Sequence, residues 1–157
     1  MSEVYVAAER LVAAPADRVY ELIADYREHH PKFLPSNFSN VEIERGGVGA
    51  GTITLFTVTA GSRSRNYRMR VDEPEPGRVL TESDTTSSLM TTWTVTPDGD
   101  QTRVRIETRW DGAPGVAGFF ERLFAPQAMR RIYNDELRRL DRYAREQMRE
   151  REIVGSR

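Results

Sequence analysis

The sequence predicts a single α+β domain in which a curved antiparallel sheet of six to seven strands wraps around a long C-terminal helix. Two short helices are expected after the first strand. Three observations lead to this prediction. Residues 40–110 alternate between polar and apolar side chains, which is the period of β-strands. The apolar residues of 126–150 recur instead at helical spacing. A chain of 157 residues has the size of one domain.

The N-terminal segment predicts a strand followed by two short helices. β-Branched residues over 3–13 favour a strand. Pro15 ends that strand and suits the first turn of a helix, which the spacing of apolar residues places over 15–25. Because Pro31 and Pro35 cannot donate a backbone hydrogen bond, they limit the second helix to a turn or two.

Consecutive strands joined by short turns are predicted between residues 40 and 110. The first runs from residue 40 to a glycine-rich turn, and the others are predicted at 52–61, 63–71, 78–84, 88–95 and 103–110. Sequential strands with short connections pair antiparallel, so the sheet should be a meander. We expect one apolar face, which in the last two strands consists of Trp93, Val95, Val104, Ile106 and Trp110.

A single helix on a wide sheet predicts an internal cavity. The last helix, about 25 residues and ~37 Å long, is only ~10 Å wide. Six or seven strands spaced ~4.8 Å apart are wider than that. Short helices and loops must close the remaining apolar face, and the enclosed space suits a hydrophobic small-molecule ligand. We expect it to be lined by Phe33, Leu34, Phe56, Tyr67, Met69, Trp93, Trp110, Phe120, Phe124 and Tyr133.

Two polar side chains, Arg65 and Glu82, are candidates for the cavity. Arg65 shares strand parity with Tyr67, so it would lie at the rim and bind a carboxylate or enolate oxygen. The alternative is a strand-end arginine that reaches solvent.

Glu82 and Asp84 share one parity, and a paired-carboxylate acid/base site requires both to point inward. The apolar residue Val79 on the opposite parity favours a water-facing pair, whereas a leucine of their own parity leaves the inward orientation open.

The sequence predicts no metal site, no cofactor and no assigned catalytic residue. His29 and His30 are the only histidines, and there is no cysteine. Adjacent side chains diverge on a short turn, so we interpret both histidines as exposed loop residues. The glycine-rich segment 46–51 lies in a hairpin turn and not between a strand and a helix, so it is not a phosphate-binding loop.

Charge and hydropathy restrict the partners. A formal net charge of −1 argues against nucleic acid, which requires a basic face. No apolar run approaches the ~20 residues that span a bilayer, and the N-terminus does not have the pattern of a signal peptide. We therefore expect a cytoplasmic protein, a monomer or a homodimer, with a frayed tail at 151–157.

Four segments carry a resemblance that covers nearly the whole chain. They are LVAAPADRVYELIADY (11–26), HHPKFLP (29–35), TPDGDQTRVRIE (96–107) and LRRLDRYAREQ (137–147). In order and spacing they resemble the START-like, or birch-pollen-allergen-like, helix-grip superfamily, and within it the polyketide cyclase/dehydrase-like branch. The resemblance implies a deep cavity for lipids, polyketides, quinones or aromatic hormones, in carriers and in a minority of enzymes.

Three functions follow as hypotheses. The first is a carrier or binding protein for a hydrophobic small molecule. The second is a polyketide cyclase/dehydratase that acts on a poly-keto or aromatic substrate. The third is a protein-interaction module, or a quinone chaperone, because the stretch from Tyr26 to Pro35 is similar to coenzyme Q chaperones. A catalytic cavity should contain at least two inward ionisable groups, and a carrier cavity can be almost wholly apolar. An interaction module should have a filled core and an exposed apolar patch.

Overall fold

The computed structural model describes residues 3–111 and 126–155, in which a seven-stranded sheet packs against a long C-terminal helix. The predicted α+β fold class is confirmed. The helices are α1 (Ala16–Ala24) and α2 (Pro126–Gly155), with a 3₁₀ helix at His30–Phe33. The strands are β1 (Glu3–Val12), β2 (Phe38–Arg45), β3 (Ile53–Ala60), β4 (Arg63–Glu75), β5 (Val79–Asp84), β6 (Met90–Asp98) and β7 (Gln101–Asp111).

The sheet is a curved antiparallel meander. Its strand order is β1-β7-β6-β5-β4-β3-β2, so β2 to β7 follow one another and β1 pairs with β7 at the far edge. The pairing of β2 with β3 shifts register between Ser39 and Glu42 and again between Ile43 and Arg45. Asn40, at the first shift, has a φ of 53°, a conformation that asparagine tolerates better than most residues. Such irregularities increase the local twist and bend the strand.

Several predicted boundaries differ from those of the structure. β4 continues past residue 71 because its later residues still pair with β5, up to Glu75 opposite Val79. β6 continues to Asp98, which pairs with Gln101, so the predicted four-residue turn is a tight two-residue turn. α2 continues to Gly155, so residues 151–155, which we expected to fray, are helical.

The core lies between the apolar face of the sheet and α2. All five residues predicted to face inward in β6 and β7 are at most 1% exposed. The buried residues of α2 recur at spacings of three and four, which places them on one side of the helix. They are Met129, Ile132, Tyr133, Glu136, Leu137, Leu140, Asp141 and Ala144. None of the helices in residues 3–111 and 126–155 is long and apolar enough to cross a membrane.

The glycine-rich turn between β2 and β3 holds the segment that follows α1. The backbone N–H of Tyr26 donates to Gly47 O at 2.8 Å, and the N–H of Gly49 donates to Ala24 O at 2.9 Å. Gly47 has a φ of +146°, and the Arg27 side chain occupies the space that a Cβ at this position would need. This turn therefore requires glycine and fixes the position of Tyr26.

Candidate functional site

A cavity lies between the sheet and α2. Its walls come from β2 to β7, from α2, and from the segment between Tyr26 and Leu34. Apolar side chains form most of its surface. It leaves about 80 Å³ in which the centre of a water-sized group fits, several times the ~10–15 Å³ that one water molecule requires. Within the part of the chain that the structure describes, the cavity is therefore larger than a single water site.

The structure brings together six of the residues that the sequence proposed for the cavity. These six line it: Leu34, Phe56, Tyr67, Met69, Glu82 and Tyr133. Phe33, Trp93 and Trp110 are not in its lining and are at most 1% exposed, so they belong to the packed core. Phe120 and Phe124 lie outside the described residues.

Arg65 lies beside the cavity and forms an ion pair. Its Nη2 atom is 3.0 Å from Asp84 Oδ2, and its guanidinium carbon lies 4.7 Å from the centre of the Tyr67 ring. The Arg65 side chain is 16% exposed, so the solvent-reaching arginine considered above is wrong. The charge of Arg65 is balanced within the protein by Asp84.

Glu82 faces the cavity, and the water-facing orientation that we favoured is wrong for both Glu82 and Asp84, which are 9% and 6% exposed. β5 lies between β4 and β6, and the side of β5 that carries Leu80, Glu82 and Asp84 faces the protein interior. Two donors hold the carboxylate. Tyr26 Oη donates to Oε2 at 2.8 Å, and Trp93 Nε1 donates to Oε1 at 3.1 Å.

His30 is buried, so its interpretation as an exposed loop residue is wrong. Its ring stacks on Tyr26 with centroids 4.5 Å apart and contacts Phe33 at 4.6 Å. In a 3₁₀ helix, residues three apart lie on the same side. A buried Phe33 therefore implies a buried His30, and this is the signal that sequence reasoning missed.

The two ring nitrogens of His30 have different partners. Nδ1 lies 2.7 Å from Ile23 O, and because a carbonyl oxygen only accepts, Nδ1 carries the hydrogen. Nε2 faces Glu136 Oε2 at 3.7 Å. Burial by itself lowers the pKa of His30, but Glu136 and the charge of Glu82 outweigh burial and raise it above its ordinary value.

Glu136 was not proposed from the sequence. It lies on the buried side of α2, three residues after Tyr133, and lines the cavity. Burial raises the pKa of Glu136 above its ordinary value, and the nearby Glu82 adds to this effect, while His30 opposes it. The signal was a carboxylate that interrupts an apolar helical stripe, a position where an unpaired charge would be costly.

Tyrosine and threonine hydroxyls complete the polar part of the wall. Tyr133 Oη is hydrogen-bonded to Thr108 Oγ1, which lies 2.7 Å from Thr91 Oγ1. Burial raises the pKa of Tyr133. Burial, and then Glu82, raise the pKa of Tyr26 well above its ordinary value. Both phenols thus stay protonated near neutral pH and can act as hydrogen-bond donors.

A separate group of potential metal ligands lies in the turn after α1. Atoms of Asp25, Glu28 and His29 lie within 4.8 Å of one another. Asp25 Oδ1 already accepts the N–H of Arg27 and of Glu28, and His29 Nδ1 lies 2.7 Å from Tyr143 Oη. Two of the three side chains thus have partners within the protein, and we assign no ion to the group.

Sequence comparison identifies one family. The family described as "Polyketide cyclase / dehydrase and lipid transport" matches residues 3–145. No curated protein matches the chain significantly.

Several solved structures share the fold. The NMR structure of KanY protein has a TM-score of 0.82 and 36% identity, over 92% of this chain and 99% of KanY. Norcoclaurine synthase from Thalictrum flavum, in complex with dopamine and hydroxybenzaldehyde, has a TM-score of 0.70 and 21% identity, over 92% and 88% of the two chains. The di-domain ARO/CYC BexL from the BE-7585A biosynthetic pathway has a TM-score of 0.65 and 22% identity, over 92% and 47%. The similarity to the last two indicates a shared fold alone.

Proposed function

Because the chain belongs to the polyketide cyclase / dehydrase and lipid transport family, we propose that it binds a hydrophobic small molecule in the cavity between its sheet and α2. The ligand is of the lipid, polyketide or quinone kind, and the protein is its carrier or binding protein. The observation that carries this proposal is the open apolar cavity. Protein interiors are normally close-packed, so a space of this size is a feature that ligand binding explains.

The cavity also argues against a protein-interaction module, for which we expected a filled core. The residues proposed to contact the ligand are the apolar and aromatic ones in the wall, Leu34, Phe56, Tyr67, Met69 and Tyr133. A cytoplasmic location and a monomeric or homodimeric state remain predictions from the sequence.

Titration with Nile red, a neutral apolar dye, tests the proposal. We expect saturable binding at one site per chain, with a change in the emission of Trp93 and Trp110. Met69→Trp places a larger side chain in the cavity wall and should weaken binding by about tenfold, about 1.4 kcal/mol. The matched control is Leu11→Trp, at a position that is 41% exposed on β1, and it should bind like the wild type. A folded wild-type protein that binds no dye would contradict the proposal.

A second candidate function is a polyketide cyclase/dehydratase. The specific observation in its favour is that His30, Glu82 and Glu136 all line the cavity, which meets the requirement of at least two inward ionisable groups. The test is product formation from a linear aryl triketone. A cyclised, dehydrated product that forms in proportion to protein would support catalysis, whereas recovery of bound but unchanged triketone would support a carrier.

A further inference from the structure

Four side chains from different parts of the chain form a polar group in the otherwise apolar wall. Tyr26 follows α1, His30 begins the 3₁₀ helix, Glu82 lies on β5 and Glu136 lies on α2. All four line the cavity, and none is more than 9% exposed. The desolvation of ionisable groups is costly, so their convergence beside an open space indicates a role toward a ligand.

We propose that His30 and Glu136 form an acid–base pair that moves a proton on the bound molecule, and that this molecule is a neutral enolisable ketone and not an anionic lipid. This inference rests on the proposed function, since it requires that the cavity binds an apolar molecule.

The charges of the group select the ligand class. With Glu82 and Glu136 ionised and His30 protonated, the group carries a net charge of −1. Arg65, which stacks on the cavity-lining Tyr67, is paired with Asp84. A carboxylate ligand would add a second negative charge to a poorly solvated space, where like charges repel strongly. A neutral molecule with a carbonyl oxygen avoids this repulsion and can accept hydrogen bonds.

The positions of the hydrogens define the proton transfer. His30 Nδ1–H donates to Ile23 O, so the proton that His30 can give to a ligand is the one on Nε2, which faces Glu136. Glu136 takes a proton from the carbon next to the carbonyl, and that C–H bond breaks as the Glu136 O–H bond forms. The carbonyl oxygen takes the Nε2 proton. The products are an enol, a neutral carboxyl group and a neutral imidazole.

The pair returns to its starting state without another reactant. Nε2 and Oε2 are 3.7 Å apart, and the Glu136 proton passes to His30 Nε2 once the two side chains approach to hydrogen-bond distance. The enol can leave after this transfer. Before it, the neutral Glu136 carboxyl group, whose proton can exchange with solvent, can return a proton to the carbon while His30 Nε2 takes back the enol proton. No electron is gained or lost, so the step needs neither an oxidant nor a reductant.

Glu82 is a positioning residue and not the base. Both of its oxygens already accept hydrogen bonds, from Tyr26 and Trp93. Its charge contributes to the raised pKa of His30, which favours the protonated imidazole. Burial raises the pKa of Glu136, which makes its carboxylate a stronger base than an exposed one.

Deuterium exchange into 2-tetralone, an apolar bicyclic ketone, tests the proposal. Proton NMR in D₂O follows the loss of the hydrogens next to the carbonyl. We expect the wild type to accelerate exchange, and both Glu136→Gln and His30→Gln to reduce the acceleration by about 10²-fold. The control Glu42→Gln changes an exposed carboxylate on β2 and should exchange like the wild type. Melting curves establish that each variant is folded.

The pH dependence of wild-type exchange is a readout that does not depend on any variant. The competent state needs an ionised Glu136 and a protonated His30, so the rate should fall at both low and high pH. The other ionisable groups at the pair are Glu82 from β5, Tyr26 after α1, and Tyr133 and Asp135 on α2. A flat profile would overturn the proposal even if a variant failed to fold.

Parallel binding measurements distinguish a failure of the proposed cavity binding from a failure of the proposed acid–base pair. If Nile red does not bind, the proposed function fails. If Nile red binds but 2-tetralone does not, or binds without faster exchange, the acid–base pair is wrong and the cavity proposal stands. A competition experiment tests the ligand class. Decanal, which is neutral, should displace Nile red better than decanoate, an anion of the same chain length. Equal displacement by both would overturn the preference for neutral ligands.

Discussion

The Nε2 atom of His30 lies 3.7 Å from Oε2 of Glu136, and neither side chain is more than 5% exposed. This contact joins the short 3₁₀ helix to α2 at the wall of the cavity. Because both groups are ionisable and buried, the contact affects stability as well as any chemistry on a ligand.

The first prediction concerns the pH dependence of stability. The pKa of His30 is raised in the folded state. Its contribution to stability is therefore fully present below the unfolded value of about 6.5, and it is lost as pH rises through the folded pKa. The free energy of unfolding, measured with urea from acidic to alkaline pH, should show a wild-type advantage over His30→Gln that shrinks as pH rises. An advantage that grew with pH would contradict the assigned direction.

The second prediction distinguishes core from cavity wall. Phe33 is 0% exposed and packed against Trp93 and Tyr143, so Phe33→Ala should cost about 3–5 kcal/mol. Phe56 is half-buried in the cavity wall, beside existing empty space, so Phe56→Ala should cost less, about 1–2 kcal/mol. Urea unfolding measures both costs. Equal losses would mean that the region around Phe56 is as tightly packed as the core.

Phe33→Ala and Phe56→Ala should also differ in how fast they release Nile red. Phe56→Ala should raise the dissociation rate of Nile red, because Phe56 lines the cavity and Phe33 does not. Stopped-flow dissociation decides this. A faster rate only for Phe33→Ala would place the ligand elsewhere.

Much of the sheet could be predicted because its alternation is unambiguous. Trp93 and Val95 share one parity with the polar Thr94 between them, and both are buried as expected. β5 was ambiguous, since Leu80 and Glu82 share one parity and Val79 and Thr81 the other. Only the neighbouring strands decide which side is buried.

The polar group in the cavity was harder to predict from the sequence than the sheet. A histidine beside a proline has the features of a surface turn, and the burial of His30 depends on its contacts with Tyr26 and Phe33. Glu136 occupies a position of the apolar helical stripe, but its partner lies far away in the chain. Pairings between distant segments depend on tertiary contacts, which periodicity does not contain.

The third prediction concerns the glycine-rich turn. Gly47→Ala should destabilise the protein by about 1–3 kcal/mol, because the backbone is in the left-handed region and the Arg27 side chain occupies the space of the new methyl group. Gly155→Ala, at the end of α2 with open space around it, is the control and should cost nothing measurable. Thermal melting compares the two. An unchanged melting temperature for Gly47→Ala would show that the turn tolerates a side chain.

The fourth prediction concerns metals. Asp25 Oδ1 already accepts two backbone N–H groups, and His29 Nδ1 lies 2.7 Å from Tyr143 Oη. Because two of the three candidate ligands already have partners within the protein, a strong chelator should leave the melting temperature unchanged. Calorimetry with and without the chelator is the measurement. A fall of several degrees that zinc reversed would mean that this group holds an ion.

Methionine-methyl NMR during a Nile red titration tests the central claim, that the cavity is the ligand site, most directly. Met69 and Met129 line the cavity, whereas Met90 and Met148 do not. We predict that the methyl signals of Met69 and Met129 shift in proportion to bound dye, while those of Met90 and Met148 stay in place. Shifts confined to Met90 or Met148, or no shift at saturating dye, would contradict the account.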